Sequence, residues 1–105
     1  MRVITLTNAN FDQEVIDSTE PVLVDFWATW CGPCQMLGPE FDALSEERTD
    51  IKFGRINVDD QPMLAREYRV MSIPMLALFR DGELVDTLIG YRPKTEIAAW
   101  LSKTV

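Results

Sequence analysis

The chain has 105 residues, of which 47% are hydrophobic and 26% are charged, a size and balance that predict one globular domain with a single core. Its formal net charge of −7 argues against nucleic acid or an anionic membrane surface as a partner. No apolar run approaches membrane-spanning length, and residues 1–5 meet polar side chains too soon for a signal-peptide core. We therefore expect a cytoplasmic protein.

The first third of the chain predicts a strand, a helix and a second strand. Residues 3–6 form a short apolar strand, and residues 7–10 provide the capping region of a helix that continues to residue 17. Residues 22–27 are an almost continuous apolar run, which is typical of a central strand buried on both faces. Asp25 is the one charged residue in that run.

The middle of the chain predicts a long helix, a strand and a short helix. Residues 31–48 place Met36, Leu37, Phe41 and Leu44 at helical spacing, with Pro39 expected to kink the helix. Residues 51–57 alternate as a strand. A proline at residue 62 then opens a helix that reaches residue 68.

The last third predicts a β-hairpin and a closing helix. Residues 75–79 and 84–89 are strands, and the Asp81-Gly82 pair between them is a hairpin turn signal. Gly90 breaks the pattern before a helix over residues 93–103. The order βαβαβαββα predicts an α/β fold in which helices cover both faces of a mixed sheet.

Both cysteines of the chain stand in the segment Trp30-Cys31-Gly32-Pro33-Cys34. A strand precedes the pair and a helix follows it, so Cys31 lies at a helix N-terminus, where backbone N–H groups and the helix dipole favour a thiolate. A zinc site needs two further Cys or His ligands, and the chain has no other cysteine and no histidine. This excludes a zinc site within one chain, whereas a site shared between two copies stays open. A ring of four residues removes little unfolded-state entropy, which argues against a purely structural disulfide. The pattern favours a redox pair.

Asp25 allows two interpretations. It is either a carboxylate paired with a cation or at a strand edge, or a buried acid with a raised pKa that relays the proton of Cys34. Arg55, on the following strand, is either a solvated charge or, as the family resemblance described below implies, the counterpart of a cation near this aspartate. The Asp59-Asp60 pair lacks the spacing of a calcium loop and is predicted to be a solvated turn.

Motifs spread over the whole chain resemble the thioredoxin family. They are residues 25–28, residues 30–34, Pro39, residues 57–59, Ser72-Ile73-Pro74, Phe79 with Asp81-Gly82, and Gly90. The resemblance implies a thioredoxin fold over residues 1–105, with a mixed five-stranded sheet of order 1-3-2-4-5 flanked by four helices. It also implies a monomeric protein disulfide reductase without a cofactor or metal, which acts on disulfide-containing client proteins and is recharged by a thioredoxin reductase.

The two cysteines are expected to have different roles. Cys31, the better exposed of the two at the helix start, is the predicted nucleophile that forms a mixed disulfide with the client. Cys34, one turn inside the helix and more buried, is the predicted resolving thiol. Gly32 and Pro33 between them are expected to tune the redox potential.

A substrate groove is expected beside the thiols. Trp30 is predicted to be a surface aromatic residue that flanks them, and the resemblance implies a cis peptide bond at Ile73-Pro74. The backbone there would pair with an extended client segment. Met75 would either add apolar surface to the groove or point inward as strand packing. Gly90 would leave room for the client or simply end a strand.

Two positions depart from the family pattern. Gln35 stands where many members have Lys or Arg, which removes a cation near the thiols. Met75 stands where Thr usually follows the Ile-Pro pair. Two other functions also stay open, a disulfide-forming or isomerising enzyme and a binding module in which the thiols are incidental.

Overall fold

A mixed sheet of five strands forms the centre of the protein, and the computed structural model describes residues 2–104 of the chain. The strands are β1 (Val3–Thr5), β2 (Val22–Trp27), β3 (Lys52–Asn57), β4 (Met75–Arg80) and β5 (Glu83–Ile89). Their order is β1-β3-β2-β4-β5, which confirms the predicted topology. β1 and β2 run parallel to β3, whereas β4 is antiparallel to both β2 and β5.

Within residues 2–104, four helices flank this sheet, as expected. They are a π-helix (Asp12–Ile16), α1 (Gly32–Glu47), α2 (Pro62–Glu67) and α3 (Lys94–Thr104). The first was expected to be an ordinary helix that follows a capping region at residues 7–10 and continues to residue 17. It is wider than that, since the N–H of Asp17 donates to the carbonyl of Asp12, five residues back, at 2.8 Å. α1 continues through Pro39 without interruption, and the kink there stays a prediction.

Alternate residues of β2 enter two separate cores. Val22, Val24 and Phe26 pack on the face covered by the π-helix and α2, whereas Leu23 packs on the face covered by α1 and α3. Phe41 is among the fully buried side chains of this second core. Burying a side chain of this size contributes about 1.5–3 kcal/mol. Asp25 has the same parity as Leu23, and it therefore lies beneath α1.

The packing of α1 corrects one expectation. Leu37, Phe41 and Leu44 are buried as predicted, but Met36 is 60% exposed. Neighbouring residues of a helix point about 100° apart, so a face centred on Leu37 turns Met36 to solvent. On α3, Trp100 is half-buried, and its indole N–H donates to Asp86 at 3.0 Å.

The hairpin between β4 and β5 turns at Asp81 and Gly82, as the Asp-Gly signal predicted. Both residues have positive φ, 54° and 80° respectively, which is the conformation that a two-residue hairpin turn requires. A Cβ at Gly82 would lie 2.9 Å from the carbonyl oxygen of Ile16. The glycine is therefore required by packing as well as by conformation.

Candidate active site

Cys31 and Cys34 are joined by a disulfide at the start of α1, with Cα atoms 5.2 Å apart. Cys31 is the N-cap residue, and its Sγ accepts the backbone N–H of Cys34 at 3.2 Å. An N–H aimed at a sulfur, together with the helix dipole, favours negative charge on that sulfur. The local geometry therefore distinguishes Cys31 from Cys34 as the sulfur that is better placed to carry a thiolate.

The two cysteines are almost equally buried, with exposed fractions of 5% for Cys31 and 4% for Cys34. The sequence predicted a clearer contrast between them. The difference is small because the half-buried side chains of Trp27, Val58 and Ile73 pack around both cysteines. What distinguishes the sulfurs is their surroundings and not their exposure.

The segment Ile73-Pro74 lies against the disulfide. The carbonyl oxygen of Ile73 is 3.8 Å from Sγ of Cys31, and the Ile73-Pro74 peptide bond is cis, as the resemblance implied. The N–H of Gly90 donates to the carbonyl of Pro74 at 2.8 Å, which joins the end of β5 to this segment. Gly90 has a φ of 91°, and a Cβ there would meet open space. Its backbone conformation favours glycine, and the space above it is free.

Trp30 is 70% exposed and stands beside the cysteines, as predicted. Its indole N–H donates to Oδ2 of Asp59 at 2.8 Å. Asp59 was expected to be a simple solvated residue, and the sequence provided no signal for this bond. Gly32 and Pro33 are exposed, and a Cβ at Gly32 would meet nothing within 4 Å.

Asp25 is the buried acid of the site. It is 1% exposed, and its Oδ1 has no hydrogen-bond partner among residues 2–104. Burial raises the pKa of Asp25 from 3.8 to about 7; the Arg55 cation opposes this increase, and Asp42 adds to it slightly. The interpretation as a strand-edge carboxylate is therefore wrong.

Arg55 is paired and not a solvated charge. Its Nε lies 3.5 Å from Oδ2 of Asp25, and its Nη2 donates to Oδ1 of Asp42 at 2.9 Å. Asp42 was not among the candidate residues that the sequence indicated. Asp42 lies on α1 eight residues after Cys34, a spacing that returns to about the same side of the helix after two turns. This spacing is the sequence signal that identifies Asp42 as a possible partner of Arg55.

A cavity of about 300 Å³ connects these groups to the surface. Asp25, Cys34, Asp42 and Arg55 line it, whereas Cys31 does not. Gln35 also borders the cavity, and its amide donates to the carbonyl of Thr29 at 3.2 Å. Cys34 therefore shares a partly polar cavity with the acid, and Cys31 faces the Ile73 carbonyl.

Met75 does not line the groove, which corrects its placement among the substrate-contacting side chains. It is 4% exposed and belongs to the core that contains Phe26 and Phe79. β4 is buried on both faces, so a residue near its start packs inward even beside the surface segment. The alternative of inward packing is the correct one.

Two other properties bear on the kind of site. Within the part of the chain that the structure describes, no group of three or more His, Cys, Asp or Glu residues could hold a metal ion. Over the same residues, no helix has the length and apolar character needed to span a bilayer.

A dithiol pair at a helix N-terminus, a buried acid behind it and an exposed aromatic residue beside it define a thiol–disulfide exchange protein. Comparison with known proteins agrees with this class. The thioredoxin family model matches residues 2–103. The chain is 51% identical to the thioredoxin of Porphyra purpurea over 106 residues, which covers 100% of this chain and 99% of the relative.

Two further relatives are similar over most of their length. Thioredoxin 1 of Synechococcus elongatus is 48% identical over 99 residues, covering 93% of this chain and 92% of its own. The thioredoxin of Mycobacterium tuberculosis is 45% identical over 103 residues, covering 97% and 89%. The chain belongs to the thioredoxin family.

Membership of this family identifies the general reaction of the protein. The protein is a protein-disulfide oxidoreductase that works by reversible dithiol–disulfide exchange at Cys31 and Cys34 through a mixed disulfide. Its substrates contain disulfides, and a thioredoxin reductase recharges it.

Proposed function

We propose that Cys31 is the nucleophile and Cys34 the resolving thiol of this reaction. In the first step, the Cys31 thiolate attacks one sulfur of the client disulfide. The client S–S bond breaks, a mixed disulfide forms and the other client sulfur leaves as a thiolate. The observation that carries this assignment is the different surroundings of the two sulfurs. Sγ of Cys31 accepts an N–H at the helix start, and Cys34 lines the cavity behind it.

Asp25 is the proton acceptor in the second step. Cys34 loses its proton to the Asp25 carboxylate across the cavity that both residues line. The new thiolate attacks Sγ of Cys31, and the client sulfur leaves as a thiolate that takes up a proton. The client has then gained two electrons, and the Cys31–Cys34 disulfide has closed. A pKa of about 7 supports this role, because an acid that titrates near neutral pH can both accept and return a proton.

The groove for the client is formed by Trp30 and by the backbone of Ile73, Pro74 and Gly90. Trp30 provides exposed apolar surface, and the Ile73 carbonyl beside Sγ of Cys31 is positioned to pair with an extended client segment. The open space above Gly90 supports this proposal, because it leaves room for the client segment. Gly32 and Pro33 adjust the potential through the shape of the four-residue ring.

The oligomeric state, the partners and the cellular compartment are proposed from the composition and the fold. Residues 1–105 act as one monomeric domain, supported by a sheet whose two faces are both covered by helices of the same chain. The partners are disulfide-containing client proteins and a thioredoxin reductase, and a net charge of −7 disfavours nucleic acid and anionic membranes. A reducing cytoplasm suits a chain whose two cysteines are the exchange pair. Sedimentation and cell fractionation test these statements.

Reduction of insulin by the purified protein, with dithiothreitol as electron source, tests the proposed reaction. We expect faster precipitation of the insulin B chain with the wild-type protein and no acceleration with Cys31→Ser. Equal rates with and without the protein would support a binding module with incidental thiols. A redox potential well above that of glutathione would instead support a disulfide-forming enzyme.

A further inference from the structure

Arg55 contacts two carboxylates at once, and the two contacts are unequal. In the sheet, Arg55 on β3 is the direct register partner of Asp25 on β2. Even so, the distance from its Nε to Oδ2 of Asp25 is 3.5 Å, whereas Nη2 donates to Oδ1 of Asp42 at 2.9 Å. The short, charge-assisted bond therefore goes to the carboxylate on the helix and not to the buried one.

The guanidinium is held in this position by residues in the middle of α1. Its central carbon lies 5.6 Å from the centroid of the Phe41 ring, and Nη2 would be 4.0 Å from a Cβ at Gly38. Asp42 lies on the solvent side of the guanidinium, with its side chain 34% exposed, whereas the Asp25 side chain is 1% exposed. Both the ring and the outer carboxylate favour a guanidinium at the edge of the cavity.

We propose that Asp42 is a positioning residue that anchors the Arg55 guanidinium at the outer edge of the cavity and so weakens the hold of Arg55 on Asp25. This inference rests on the proton-accepting role proposed above for Asp25. A guanidinium bonded closely to Asp25 would stabilise the ionised carboxylate, which would then be a poor acceptor for the proton of Cys34. Sharing the cation with Asp42 leaves Asp25 able to titrate where the reaction needs it.

Few charged groups face Asp25. From β3 it faces Arg55, and from α1 it faces Asp42 and, across the shared cavity, Cys34. Its register partner on β4 is the apolar Leu76. Among residues 2–104, Arg55 and Asp42 are therefore the two charged groups that shift the pKa of Asp25, and burial has the largest effect on that pKa.

The test is a titration of the Asp25 side-chain carboxyl by carbon NMR in the oxidised protein. Asp42→Asn removes a nearby negative charge and frees the guanidinium to approach Asp25. Both changes favour the ionised form, so we expect the Asp25 midpoint to move to lower pH by roughly one unit. Glu47→Gln, which removes a carboxylate from the same helix near Lys94, is the matched control and should leave the midpoint in place. Asp42→Glu should restore most of the wild-type value.

An Arg55→Gln background separates positioning from simple repulsion. If Asp42 acts through Arg55, Asp42→Asn should move the Asp25 midpoint by less than about half as much once the guanidinium is gone. An equal effect in both backgrounds would mean direct repulsion alone and would overturn the proposal. So would an Asp25 midpoint that is the same in Asp42→Asn and in the wild-type protein.

The pH dependence of client release distinguishes this proposal from the one on which it rests. The rate is followed from a preformed mixed disulfide between Cys31 and a fluorescent peptide. If the Asp25 midpoint falls in Asp42→Asn and the release profile moves with it, both proposals are supported. If the midpoint falls and the release profile does not move, Asp42 still positions Arg55, but Asp25 is not the proton acceptor.

Discussion

The indole N–H of Trp30 donates a 2.8 Å hydrogen bond to Oδ2 of Asp59, a residue 29 positions later in the chain. Trp30 is 70% exposed, so this bond fixes the orientation of a large apolar side chain that has little packing of its own. Asp59 is itself held by the turn after β3, because its N–H donates to Oδ1 of Asn57 at 2.9 Å. The turn therefore aims the aromatic ring beside the cysteines.

Loss of this acceptor should weaken client reduction. In Asp59→Ala the ring is free to rotate, and we expect kcat/KM for insulin to fall by about fivefold, from a loss of roughly 1 kcal/mol. The melting temperature should hardly change, since both side chains lie at the surface. Asp59→Asn keeps an oxygen acceptor and should retain most of the activity. Equal losses in the Ala and Asn variants would show that charge, and not the orientation of Trp30, is what matters.

A Cys34→Ser variant should accumulate mixed disulfides with client proteins. Without the second sulfur the mixed disulfide cannot resolve, and the complex persists on a non-reducing gel. Cys31→Ser should trap far less, because the remaining sulfur faces the cavity behind the site. The double Ser variant gives the background. Equal trapping by both single variants would contradict the assignment of the nucleophile.

Asp25 should make stability depend on pH in a range where few other groups titrate. Its folded-state pKa of about 7 lies above the ordinary 3.8, so the folded protein binds this proton more tightly than the unfolded chain does. The contribution of Asp25 to stability is therefore fully present below pH 3.8 and is lost as the pH rises to about 7. At about 1.36 kcal/mol per pH unit, that interval corresponds to about 4 kcal/mol in total.

The measurement is urea unfolding of the oxidised protein at pH 5.5 and pH 8.5. The chain has no histidine, and exposed carboxylates are already ionised at the lower value, so the wild-type protein should lose about 2 kcal/mol between them. Asp25→Asn should show no such loss and should be the more stable protein at pH 8.5, with Arg55 still paired to Asp42. Parallel pH profiles for the two proteins would contradict a raised pKa of Asp25.

Met75→Thr should destabilise the protein without changing its client preference. The side chain is 4% exposed in the core, so the substitution removes volume and buries a hydroxyl, at a cost of about 1–3 kcal/mol. Thermal unfolding measures the cost, and the rate ratio for two unlike disulfide substrates measures preference. Met63→Thr, at a residue that is 67% exposed, is the control for a change at the surface. A shifted rate ratio with unchanged stability would place Met75 in the groove after all.

Much of this architecture follows from local patterns. The alternation of strand and helix signals predicts the element order, and the continuous apolar run of β2 predicts a central strand. The same run identifies Asp25, because a carboxylate inside it has to be either paired or neutral. The Asp81-Gly82 signal predicts the hairpin by its need for positive φ.

What the sequence did not predict depends on how elements pack against each other. The rotation of α1 about its axis decides that Met36 is exposed and that Asp42 reaches Arg55, and a helical period alone leaves that rotation open. Likewise, β4 is buried on both faces, so period-2 alternation could not place Met75. The bond between Trp30 and Asp59 joins two loops whose separation is set by the whole sheet.

The position of Asp25 within β2 also has a consequence for how the sheet assembles. Shifting β2 by one residue against its neighbours would exchange the faces of all its side chains. Asp25 would then lie among Phe11, Phe79 and the other apolar side chains of the opposite core, away from Arg55. Such a mispaired sheet would have to desolvate a carboxylate without a cation beside it, which costs several kcal/mol. The same acid that we propose accepts a proton from Cys34 thus penalises the wrong strand register.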